Sequence, residues 1–157
     1  VHAEMVASGY LPLNAAGDLV LAGRGRLGSV ISETFDEVPA THRLYSGGGG
    51  SVRGYQERFI GPLDEDNDPL GGRSVIELGA ELRGRIRGDI GGALFVEGAA
   101  VSQEITPDFS AGFRYAAGGG LRYYSPVGPI RFDVGVPLNP RDVDDAFAVY
   151  FSIGQAY

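Results

Sequence analysis

The chain of 157 residues has no cysteine, no tryptophan and no lysine, one methionine, and two histidines, His2 and His42. Without cysteine there are no disulfides, zinc fingers, iron–sulfur clusters or thiol nucleophiles. The histidines fall in a terminal strand and a loop, so no serine has a partner for nucleophilic catalysis. No apolar run approaches the roughly 18 residues that a membrane-spanning helix needs. That test is blind to a spanning β-barrel, whose segments are short and alternating. A net charge of −7 leaves no basic patch to neutralise phosphates, which excludes a nucleic-acid partner. Val1 opens the sequence without methionine or signal peptide, so the chain is expected to be a fragment that carries no information about compartment.

What is abundant is equally telling. Glycine occurs 26 times, far above the average of about 7%, which serves a helix badly. All thirteen basic residues are arginine, a planar donor suited to pairing with carboxylates. Apolar residues alternate with polar ones, and turn residues separate the runs, which is the all-β pattern. From Ser74 to Ile86, one face carries Ile76, Leu78, Ala80, Leu82 and Ile86, with Gly84. The other carries Arg73, Glu77, Glu81, Arg83, Arg85 and Arg87. In 90–102, Leu94 and Val96 oppose Phe95 and Glu97. In 112–124, Phe113, Tyr115, Leu121 and Tyr123 oppose Arg114, Arg122 and Tyr124. In 130–137, Ile130, Phe132, Val134 and Val136 oppose Arg131 and Asp133. The last strand, 146–157, sets Phe147, Val149, Phe151, Ile153 and Tyr157 on one face. An upstream hairpin spans 1–11 and 19–30. The pattern predicts an antiparallel meander of about seven strands. Polar faces with charges of both signs at strand interiors suit a barrel lumen, with the apolar faces against lipid. A soluble β-sandwich or barrel stays open as the alternative.

One stretch, about 32–72, lacks periodicity, and loops of that length are usually functional. Within it, glycines 47–50 precede Ser51-Val52-Arg53-Gly54-Tyr55. Glycine lets the backbone enter a space too narrow for side chains, and Arg53 then presents a fork of donors. If Arg53 enters a lumen it needs carboxylates on inward faces. Glu81 and Glu97 lie mid-strand on consecutive strands and are the receivers expected; two carboxylates make a buried arginine sustainable. The competing arrangement pairs Glu81 with Arg83 or Arg85 and leaves Arg53 in solvent.

Catalysis finds no support. Glu81 and Glu97 would form an acid–base pair only with separated environments, and neighbouring arginines hold both ionised. The acidic run Asp64-Glu65-Asp66-Asn67-Asp68 fails the calcium-loop pattern, with Pro69 in the glycine position and Val75 in place of the bidentate glutamate. No metal or cofactor is expected.

Segments 48–55 (GGGSVRGY), 80–82 (AEL), 93–97 (ALFVE), 119–133 (GGLRYYSPVGPIRFD) and 151–157 (FSIGQAY) resemble, in this order, motifs of the BamA/TamA superfamily of outer-membrane assembly barrels, the bacterial surface antigen family. The 119–133 phrase is closer to TamA. The resemblance covers nearly the whole chain. It implies a sixteen-stranded barrel in the bacterial outer membrane of which residues 1–157 are the C-terminal portion, with periplasmic modules and the first strands before Val1. It implies that the long loop folds into the lumen, where Val52, Arg53, Gly54 and Tyr55 form its functional tip and Glu81 and Glu97 receive Arg53. The family's second receiver is an aspartate, so the extra methylene of Glu97 implies a shifted tip. The implied activity inserts or translocates β-barrel or autotransporter clients through a lateral seam at the last strand, where Phe151, Ile153, Gly154 and Tyr157 form the edge and terminal signal. Implied partners are the rest of the barrel, its periplasmic modules, client proteins, the lipid bilayer and a TamB-like inner-membrane-anchored protein. The rival function is a soluble all-β binding module that uses the long loop for recognition.

Overall fold

In the computed structural model, which describes residues 1–110 and 112–154, the chain is a single antiparallel sheet. Its strands are β1 (His2–Pro12), β2 (Leu19–Val30), β3 (Ser74–Arg87), β4 (Ile90–Ser102), β5 (Arg114–Ser125), β6 (Gly128–Pro137) and β7 (Ala148–Ile153). Each pairs with its sequence neighbour, so the spatial order is the chain order and β1 and β7 are the edges. The only helical element among the described residues is a single 3₁₀ turn, Ala40–His42.

Alternation sets the two faces, because successive side chains in a strand point to opposite sides. The apolar face is outermost. Leu78, Ile86, Leu94, Val96, Leu121, Phe132 and Val149 are all exposed, and of the apolar set assigned to β3 only Ile76 is buried. Most of the charged face is buried: Glu77, Glu81, Arg83, Glu97, Arg122, Arg131 and Asp133 lie inside, while Arg85 and Arg87 at the end of β3 are exposed. This inverts a soluble sheet, where burying charge is costly and burying apolar area is favourable. It is the arrangement of a wall with lipid outside and a polar lumen within.

What covers the inner face is the segment between β2 and β3. Its base is tied by isolated backbone bridges, Leu44 to Gly72, Ser46 to Ile60 and Leu63 to Pro69. A small apolar cluster of Val30, Val38, Leu44, Val75 and Val101 packs beneath that base. Further in, Val52, Tyr55 and Ile60 pack on Ala99 and Ala116. The loop therefore has a core of its own, built against the wall.

Several strand limits differ from those expected: β1, β3 and β5 shift by one or two residues, and β6 and β7 change for visible reasons. β6 begins at Gly128, because Ser125 pairs directly with Gly128 and the turn shrinks to Pro126-Val127. β7 starts at Ala148, after a connection that stays irregular through Phe147. Mid-strand Val96, 55% exposed on the outer face, gives a direct check of orientation. Val96→Arg should cost about 2–4 kcal/mol in a barrel folded into phospholipid vesicles. On a water-facing sheet the change would be within about 0.5 kcal/mol. Urea titration in vesicles distinguishes the two.

Candidate functional site

The loop delivers Arg53 through backbone that only glycine adopts comfortably. Gly47 and Gly48 have φ of 112° and 95°, and Gly54 has φ of 115°. The Ser51 hydroxyl pegs the turn to the wall: it donates to Glu77 Oε1 at 2.7 Å and accepts from the Gly47 amide at 3.1 Å. Arg24 and Arg26 of β2 converge on the same carboxylate, at 3.4 and 2.8 Å. Arg24 also donates to the Gly50 carbonyl at 3.0 Å.

The tip then lies flat on the wall. A Cβ on Gly135 of β6 would sit 2.6 Å from the Arg53 carbonyl carbon and the Gly54 nitrogen. One on Gly54 would meet Gly135 and Ala116 at 3.2 Å. Glycine at both positions is what allows two backbones to touch. In register, Glu81 on β3 faces Phe95, Phe95 faces Gly118, and Gly118 faces Gly135. The row is thus large residues on β3 and β4 and none on β5 and β6, a shallow floor with the carboxylates to one side.

Arg53 is 1% exposed and meets three carboxylates. Its backbone amide donates to Glu97 Oε2 at 2.8 Å, and its Nε lies 3.0 Å from Glu97 Oε1. Nη2 also contacts Glu97 Oε1 and reaches Glu81 Oε2 at 2.6 Å. Nη1 reaches Asp133 Oδ2 at 3.2 Å. The Phe95 ring lies under the guanidinium, 3.5 Å from Cζ to the centroid, a cation–π contact strengthened by the absence of water. Around this centre, Arg83 Nε pairs with Glu81 Oε1 at 2.6 Å, and Arg122 Nη1 with Asp133 Oδ1 at 2.6 Å. Arg122 Nη2 stands 3.5 Å from Glu81 Oε1. Arg53, Glu81, Arg122 and Asp133 thus close a ring of alternating charge that ties the loop to β3, β5 and β6. Glu97 adds β4.

The structure brings together Arg53, Glu81 and Glu97; Glu81 pairs with Arg83 as well, but Arg53 is buried and not left in solvent. Glu97 makes the fuller set of contacts, reaching both the guanidinium and the backbone amide. Val52 and Tyr55 are buried in the tip cluster. The Tyr55 hydroxyl lies 3.1 Å from the Tyr115 carbonyl and from Asn139 Oδ1. On the edge strand, Phe151 and Ile153 point outward, 71% and 65% exposed. Gly154 ends β7 with φ of 104°. Tyr157 lies outside the described residues.

Sequence reasoning did not assign Asp133, Arg122, Tyr150 or Arg141 to the site. Asp133 was visible as an inward charge opposite Phe132 and Val134, but only the register across β3 to β6 places it beside Glu81. Tyr150 of β7 accepts a hydrogen bond from the Gly54 amide at 2.8 Å and donates to the Tyr55 carbonyl at 3.0 Å. Arg141, in the connection before β7, donates to the Gly61 carbonyl at 2.9 Å and to that of Phe59. Asp144 holds it at 2.9 Å. Burial works against the charged Asp144, but hydrogen bonds from Arg141 outweigh it and keep this carboxyl below its ordinary value. The strap therefore stays ionised well below neutral pH. A side chain at Gly135 should lift the tip: Gly135→Ala is expected to destabilise by about 1–3 kcal/mol through overpacking. Limited proteolysis of residues 47–61 in the folded barrel should speed up with it.

In sequence and in fold, the chain is similar to known proteins. An Omp85 superfamily domain matches residues 2–157. The outer membrane protein assembly factor BamA of Nitratidesulfovibrio vulgaris is 35% identical over 147 residues, 88% of this chain and 18% of that protein. The outer membrane protein assembly factor BamA of Neisseria meningitidis serogroup B is 26% identical, over 94% of this chain and 23% of that protein. The crystal structure of BamA from Haemophilus ducreyi lacking POTRA domains 1–3 superposes with a TM-score of 0.76 and 28% identity. That match covers 94% of this chain and 34% of the other. The chain thus spans about a fifth of the length of the curated relatives it matches. With the whole of its sheet matched in sequence and in fold, the chain belongs to the Omp85 superfamily.

Proposed function

We propose that this chain is the C-terminal wall of an outer-membrane β-barrel whose whole protein assembles other outer-membrane proteins. Residues 1–157 supply the last seven strands, and periplasmic modules and earlier strands complete the protein. The reading rests on one observation: a loop arginine, 1% exposed, is held by carboxylates from β3, β4 and β6 at once. Such a clasp braces the loop inside the lumen, and the last strand, β7, pairs only with β6 within this chain. An unpaired edge is suited to templating incoming strands. Client β-barrels would pair there, at a lateral seam formed by Phe151, Ile153, Gly154 and Tyr157, and pass into lipid. The chemistry is therefore strand exchange, with no covalent step. The exposed apolar outer face argues against the rival reading of a soluble binding module.

A finer form of the reading rests on the 119–133 phrase. Its likeness to TamA favours autotransporter clients and a TamB-like inner-membrane-anchored partner. The named relatives are BamA, so the two duties separate by complementation. Rescue of a strain depleted of BamA supports general assembly, and rescue only of autotransporter secretion in a strain lacking TamA supports the narrower duty.

The brace is tested in the whole protein by Arg53→Ala and Arg53→Lys. Removing the guanidinium leaves buried carboxylates facing one another, and breaking one partner of a buried pair costs about 3–5 kcal/mol. Arg53→Ala should lower barrel stability or client assembly while the protein is still made. Arg53→Lys should recover little, because a point charge cannot span three carboxylates as the planar fork does. Unchanged client assembly and unchanged protease resistance in Arg53→Ala would overturn the reading.

A further inference from the structure

β7 is the most weakly attached strand of the sheet. Six registered pairs join it to β6, against ten between β5 and β6. Its outer face carries Phe151 and Ile153, exposed. Two side chains on its inner face make hydrogen bonds. Ser152 receives Arg131 of β6 at 2.7 and 3.0 Å, a contact within the wall. Tyr150 does something different: it leaves the wall and bonds the loop.

The Tyr150 hydroxyl uses both its functions on one peptide step. It accepts from the Gly54 amide at 2.8 Å and donates to the Tyr55 carbonyl at 3.0 Å. Its ring also fills the space beside Gly49, where an added Cβ would come within 2.9 Å of it. In register, Tyr150 stands opposite Asp133, the β6 carboxylate that meets Arg53 Nη1. The arginine side chain and the peptide that follows it are therefore gripped by adjacent strands, one through charge and one through a hydroxyl. Gly54 suits this grip because its φ of 115° turns the amide with no Cβ to strike Ala116 or Gly135.

We propose that Tyr150 is a positioning residue that latches the edge strand to the loop tip, so that β7 cannot leave its place without the loop giving up two backbone hydrogen bonds. This rests on the reading of the loop as a brace and extends it from the fixed wall to the last strand, which pairs only with β6 within this chain. The Arg53 cluster anchors the tip to β3, β4 and β6; Tyr150 passes that anchorage on to β7. The phenol suits the task because it carries no charge, and its bonds are made and broken without leaving an ion unpaired.

The test compares Tyr150→Phe, Tyr150→Ala and Arg53→Ala in the full-length protein folded in phospholipid vesicles, read by hydrogen exchange. Tyr150→Phe keeps the ring beside Gly49 and removes only the hydroxyl. Losing two neutral hydrogen bonds should speed exchange roughly tenfold both in residues 53–55 and in Ala148–Ile153, with β3 and β4 unchanged. That joint response, in segments about a hundred residues apart, is not the signature of general destabilisation. If Tyr150→Phe exchanges like the parent in Ala148–Ile153, or if only Tyr150→Ala speeds it, ring packing rather than the hydroxyl holds the strand and the proposal fails. Arg53→Ala reports separately on the brace. Unchanged protection of residues 53–55 in that variant overturns the brace, while the latch is still decided by the Tyr150→Phe response in β7.

Discussion

A guanidinium taken out of water and shared among three carboxylates is the constraint around which this chain is organised. An isolated buried charge is prohibitively expensive, and even a pair barely recovers its desolvation. Arg53 is tolerable because its planar fork meets Glu97, Glu81 and Asp133 at once, and because Arg83 and Arg122 share the excess negative charge. No single strand could assemble that set. The carboxylates come from β3, β4 and β6, so the cluster forms only when the sheet is in register and the loop has entered. Loop seating and wall register are thus one cooperative event, and a slip of one residue would turn every carboxylate outward.

The second organising feature is the division of glycine. On the inner face, Gly118, Gly120 and Gly135 form a floor without side chains. A Cβ at Gly118 would overlap the Phe95 ring, and one at Gly120 would overlap the Asp133 carboxylate. Within the loop, Gly54 serves the complementary purpose and lies on that floor, while Gly47 and Gly48 let the loop fold tightly on its own residues 56–60. Gly54, Gly118, Gly120 and Gly135 therefore serve one interface between a loop and its own barrel wall, where close backbone approach lets charge-assisted hydrogen bonds reach full strength. The cost is a sheet with little side-chain packing on its inner face, made good by Val52, Tyr55 and Ile60 from the loop.

How much of this could be read beforehand differs by element. The strands were legible because period-2 alternation with one charged and one apolar face admits few other solutions, and the long aperiodic stretch stood out against them. Arg53, Glu81 and Glu97 were legible as a buried cation in search of inward carboxylates. Asp133 was not, although its inward orientation was plain, because it lies four strands along from the loop and only the stacked registers bring it to Arg53 Nη1. Tyr150 and Arg141 carried no signal at all. A tyrosine in a strand and an arginine in a connection are ordinary residues until a glycine-rich peptide is laid beside them. Gly135 on β6 gives clearance for a second backbone, a use that appears only once the loop is in place.

Composition and periodicity by themselves determined the class of molecule: an all-β meander, charge on one face and apolar residues on the other, with one loop built to travel. These are local properties, set by how side chains alternate along a strand. That Asp133 joined the carboxylates around the arginine, and that the loop tip reached β6 and β7, were decided by tertiary structure alone. Those outcomes depend on register summed across several strands and on the path of a loop of some forty residues. Neither quantity is encoded in any short stretch of the chain.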